Sequence, residues 1–121
     1  MEKVVLGKCD TYNLKELKDF LSKAFNEIDF RTSRSKILLK PNLVIGKSPE
    51  KAVNTHPLFI RALAELLLDY SCDLFIGDSP GYESTERALK NAGILSVVKE
   101  IGVKVLPFDR KVVKKHIGIS P

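Results

Sequence analysis

A chain of 121 residues has room for one domain of ordinary size, which buries roughly two-thirds of the surface its unfolded form exposes. Hydrophobic residues make up 44% and charged residues 29%, a balance that suits a soluble globular protein. No apolar run approaches the roughly 20 residues needed to span a bilayer, so no membrane partner is expected. The opening residues, Met1 to Lys8, carry no signal-peptide core, which points to a cytoplasmic protein. Cys9 and Cys72 are too few and too far apart for a disulfide framework, a metal site or a cluster, and both read as thiols. The net charge of +5 is uneven: residues 1–98 hold 14 Lys and Arg against 13 Asp and Glu, and residues 99–121 hold 6 against 2. The tail's cluster of Arg110, Lys111, Lys114 and Lys115, with His116 beside it, has no interleaved aromatic residues on which bases could stack, so nucleic acid is not the expected partner.

In chain order, Val4, Val5 and Leu6 suggest a first strand over 3–8, followed by a loop, Cys9 to Tyr12. Asn13 and Glu16 have the spacing of a capping pair. Leu14, Leu17, Leu21, Ala24, Phe25 and Ile28 then form one helical stripe, expected to lie on a sheet. Ile37, Leu38 and Leu39 form a short apolar strand. Pro41 ends it, because proline has no N–H for a ladder and biases Lys40 toward extended geometry. Residues 45–54 keep neither period and read as a long loop. Pro57 suits the first turn of a second helix, reaching to about Tyr70, with Thr55 or His56 as its cap. This helix is apolar nearly all round, with charge only at Arg61, Glu65 and Asp69. One side of a small sheet cannot cover it, so a homodimer or the remainder of a longer chain is expected against it.

A third strand, Leu74 to Ile76, runs into Gly77-Asp78-Ser79-Pro80-Gly81. A helix over 83–92 follows, with Gly93 at its left-handed end. A short helix near 95–101, a strand over 103–108 and an edge strand within 111–119 complete the pattern. Alternating strands and helices imply a single α/β domain over 1–121. Its expected form is three layers, an open, mostly parallel sheet of four to five strands with helices on both faces.

In such a sheet the loops leaving the strand carboxyl ends line the ligand crevice. They would gather Asp10, Lys40, Asn42, His56, Asp78, Ser79 and Asp109. Lys40, Asn42 and Ser79 are candidates for holding a small anion, and Gly77 and Gly81 let backbone approach it closely. His56 and Asp78 are the candidate catalytic pair, able to move a proton near neutral pH, although whether the domain is an enzyme is left open. The alternative is a non-catalytic interaction or scaffold domain in which these residues form only turns and caps. As single loop residues, Lys40 and Asp78 are expected to contribute little to stability.

Lys40-Pro41-Asn42-Leu43-Val44, Asn54-Thr55-His56-Pro57 and Gly77-Asp78-Ser79-Pro80-Gly81, in this order and spacing, resemble the DUF362 family of uncharacterised proteins. Members are usually longer, and many carry ferredoxin-like cysteine motifs further on. The resemblance implies that this chain corresponds to the amino-terminal part of such a protein, within a family linked to iron–sulfur redox proteins. The chain itself lacks the ligand set for a cluster, and its cofactor is unassigned.

Overall fold

The structure is a computed structural model and describes residues 2–43, 54–78 and 84–106. Within them lie α1 (Leu14–Glu27), β1 (Lys36–Leu39), α2 (Pro57–Asp69), β2 (Asp73–Ile76), α3 (Thr85–Asn91), α4 (Ile94–Glu100) and β3 (Lys104–Val105). The strands form one parallel sheet in the order β1-β2-β3, with Leu39 opposite Ile76 and Ile76 opposite Val105. The fold is therefore α/β with a parallel sheet, three strands wide among the described residues. The edge strand expected within 111–119 lies outside them.

One face of the sheet makes the core. Leu39, Leu74 and Ile76 pack with Ile60, Ala64 and Leu67 of α2, Ala88 and Leu89 of α3, and Ile94, Leu95 and Val98 of α4. Each fully buried Leu or Ile contributes about 1.5–3 kcal/mol relative to exposure, so this side carries most of the fold's stability. The opposite face is barer: Leu38 remains 42% exposed. Its register neighbour Phe75 is roofed by the Lys104 side chain, whose ammonium sits 5.3 Å from the ring centroid and 3.3 Å from the Asp73 carboxylate.

Two sequence expectations are corrected. Residues 3–8 belong to no strand among the described residues; Val4 and Leu6 point to solvent, and the segment meets α1 at Gly7, where an added Cβ would fall 2.1 Å from the Phe20 ring. Helix α1 lies on α2 rather than on the sheet, through a cluster of Leu17, Leu21, Ala62 and Leu66. Ala62 and Leu66 give the apolar stripe of α1 its partner, while the opposite face of the sheet stays bare at Leu38. It follows that the second apolar face of α2 is covered by α1 within the chain. The polar stripe of α2 is used as well. Arg61 holds Glu65 at 2.8 Å and Glu100 of α4 at 3.3 Å, while Lys18 of α1 reaches Asp69 at 3.2 Å.

The terminal signals act as the sequence suggests. Asn13 accepts the Glu16 N–H at 3.1 Å, and Gly93 follows α3 with φ 77°, a left-handed geometry that a Cβ disfavours.

Candidate functional site

Lys40 is the first residue after β1 and Asp78 the second after β2. Because β1 and β2 are adjacent and parallel, with Leu39 beside Ile76, their continuations run out together at one edge. There the Lys40 ammonium lies 2.5 Å from Asp78 Oδ1, with the lysine side chain 61% exposed and the aspartate side chain 9%. Asp78 Oδ2 accepts the Leu43 N–H at 3.1 Å, and the Asp78 carbonyl accepts the Thr85 hydroxyl at 2.9 Å. Asp78 thus ties the loop after β1 to the segment that enters α3. It is an anchored, buried carboxylate, which corrects the expectation of an exposed loop residue.

A second set of bonds brings the start of α2 to the same edge. The Asn42 N–H donates to Thr55 Oγ1 at 2.9 Å, and the Thr55 N–H returns to the Asn42 carbonyl at 3.1 Å. Leu43 and Asn54 form an antiparallel bridge beside them. His56 follows as the cap of α2, its Nδ1 accepting the Leu58 N–H at 3.1 Å. A neutral imidazole whose Nδ1 accepts carries its proton on Nε2, so His56 presents a donor there. Burial holds its pKa below the ordinary histidine value, which favours that neutral form.

One participant was not singled out from the sequence. Tyr12, in the loop before α1, lies flat on the His56 ring, with centroids 3.6 Å apart and planes 9° from parallel. The loop at 9–12 was legible as one of those at this edge, but a ring contact across 44 positions leaves no local signal. Asp10 sits in the same loop and pairs with Lys8 at 3.7 Å, both well exposed. Of the other candidates, Gly77 is buried and extends the ladder by donating to the Leu39 carbonyl at 3.1 Å, while Ser79, Gly81 and Asp109 lie outside the described residues.

Chemically, this edge offers a lysine ammonium, an imidazole Nε2–H and a buried carboxylate already in use. Among the described residues no group of three or more His, Cys, Asp and Glu side chains could hold a metal ion. Cys9 is exposed and Cys72 buried, and two cysteines fall short of the four ligands a typical iron–sulfur cluster takes, so this chain does not fit such a group.

Comparison with known proteins agrees with the motifs. A thylakoid-associated protein of Synechocystis sp. (strain ATCC 27184 / PCC 6803 / Kazusa) is 32% identical over 73 residues, which cover 60% of this chain and 23% of that protein. The chain thus spans less than a quarter of the relative's length. No solved structure matches it. The model of a domain of unknown function, DUF362, matches residues 37–119, taking in β1 from Ile37, the Lys40–Asp78 edge and all that follows to β3, and the chain belongs to the DUF362 family.

Proposed function

We propose that this chain is one α/β unit of a longer DUF362 protein and that the edge formed by Lys40, Asn42, His56 and Asp78, with Ser79 and Gly81 nearby in sequence, binds a small anionic ligand. The observation that carries this reading is the asymmetry of the ion pair. Asp78 is buried and fixed by the Leu43 N–H, so it holds an exposed ammonium in place at the strand ends. An ammonium has three donors; one meets Asp78, and two remain to meet an anion. His56 adds an Nε2–H donor. With Nδ1 engaged and Asp78 committed to its partners, these groups suit holding an anion better than moving a proton, so we place binding before catalysis.

The longer-protein reading is supported by the share of the relative that the chain spans. The iron–sulfur link implied by the family would draw its cysteines from outside this chain. Among the described residues no helix is long and apolar enough to cross a membrane, and we propose a cytoplasmic location. Fractionation of cells tests this against the thylakoid association in the relative's name.

A scaffold reading is favoured by one observation: the Asp78 network ties together the loop after β1, the end of β2 and the start of α3. A thermal-shift screen with phosphate, sulfate, acetate and chloride decides between the two. A binding edge gives a rise in Tm with one anion class that Lys40→Ala abolishes, because a ligand stabilises only the folded state that binds it. A flat response to all four supports the scaffold.

A further inference from the structure

The anion-binding edge continues into a second feature, the flat ring pair of Tyr12 and His56. His56 is held by its cap bond to the Leu58 N–H, and Tyr12 lies against the imidazole at 3.6 Å. One face of the phenol ring is therefore supported, yet Tyr12 as a residue remains 58% exposed. Beside it is a cavity of about 260 Å³, lined by Cys9, Asp10, Thr11, Tyr12 and Leu17. Drug-sized sites start at about 300 Å³, so this one suits a single planar ring system rather than a whole ligand. Asp10 and Thr11 bring a carboxylate and a hydroxyl that can meet ring N–H groups. An exposed aromatic face beside such a hollow is the arrangement on which a heterocycle stacks.

The hollow and the ammonium are linked by one ring contact, one pair of hydrogen bonds and short stretches of chain. Tyr12 rests on His56, its chain neighbour Thr55 is bonded twice to Asn42, and Asn42 is two residues from Lys40. We propose that the ligand class is a nucleotide, a planar heteroaromatic ring carrying a phosphate, with the ring in the Tyr12 hollow and the phosphate at Lys40. This rests on the anion reading above and adds the chemistry of the ligand's other end.

Calorimetric titration of the chain with inorganic phosphate, ribose 5-phosphate, adenosine monophosphate and flavin mononucleotide tests it. At least one of the two nucleotides should bind tenfold or more tightly than ribose 5-phosphate. Tyr12→Leu should erase that advantage while leaving phosphate and ribose 5-phosphate unchanged, and Lys40→Ala should weaken every probe. Tyr12 is a surface residue, and a far-UV spectrum and melt matching the parent confirm that the Leu variant is folded. If phosphate and ribose 5-phosphate bind but neither nucleotide binds better, or if the advantage survives Tyr12→Leu, the stacking site is overturned and the anion site stands. If none of the four binds at millimolar concentration, both fall.

Discussion

Lys40 reaches from the end of β1 to Asp78 at the end of β2, closing to 2.5 Å, and the two partners differ sharply in their access to water. The ion pair therefore has a fixed member and a free one, and the two are predicted to fail differently.

Asp78→Ala removes the acceptor for the Leu43 N–H in a buried setting, and leaving such a donor unsatisfied costs about 1–3 kcal/mol, with the charged partner adding to that. Lys40→Ala leaves the carboxylate its backbone partner and lets water take the ammonium's place, so it should cost less than about 1 kcal/mol. Urea denaturation of the two variants measures both. Equal losses would mean that the pair, rather than the backbone bond, holds the loop.

His56 predicts a pH effect with a definite sign. Its folded pKa is lowered by burial from the ordinary 6.5, so between those two values the unfolded chain binds more protons than the folded one. The stability it contributes is complete above about pH 6.5 and falls as the pH drops through the folded pKa. Protonating Nδ1 also removes the acceptor for the Leu58 N–H. His56→Asn keeps a capping acceptor without the titration, so the difference in unfolding free energy between parent and variant should shrink or reverse from pH 7.5 to pH 5. A constant difference would remove His56 as the source.

The α1–α2 contact supplies a packing prediction. Ala62 is fully buried where α1 crosses α2, against Leu17 and Leu21. Ala62→Leu has no room, and overpacking of this kind costs about 1–3 kcal/mol. Leu67→Ala, in the main core, should cost about 2–5 kcal/mol. Amide exchange should show that Ala62→Leu loosens α1 first, leaving the sheet protected.

Gly93 sits at φ 77° between α3 and α4. An L side chain there costs about 1–2 kcal/mol, so Gly93→Ala should lower stability by that amount and Gly93→Asn by less, because asparagine tolerates this region better. Thermal melts of the two variants check the order.

The parts of the fold legible in the sequence were those decided within a few residues. Pro41 ending β1, Asn13 capping α1 and Gly93 closing α3 each follow from one side chain acting on its own backbone. The candidate edge was legible for the same reason: Lys40 and Asp78 are placed by strands that end where they do. What stayed hidden depends on long-range partners. The burial of Asp78 comes from an N–H 35 positions away, and Tyr12 is fixed by a ring 44 positions on. The stretch at 3–8 has the composition of a strand, but composition does not supply a neighbouring edge, and Val4 and Leu6 face water instead. The seat of α1 is a choice between α2 and the sheet, which its own apolar stripe does not decide.

Lys104 does two things at once on the barer side of the sheet: its ammonium meets Asp73 and also stands over the Phe75 ring. An ammonium held over an aromatic ring keeps that row wet and charged, and charge on a strand surface opposes stacking against another sheet. The consequence concerns colloidal behaviour more than folding. Neutralising this one amine, by Lys104→Met or by acetylation, would leave the helical core untouched and turn Leu38 and Phe75 into a continuous greasy strip, so the solubility limit of the isolated chain should drop well before its melting point does.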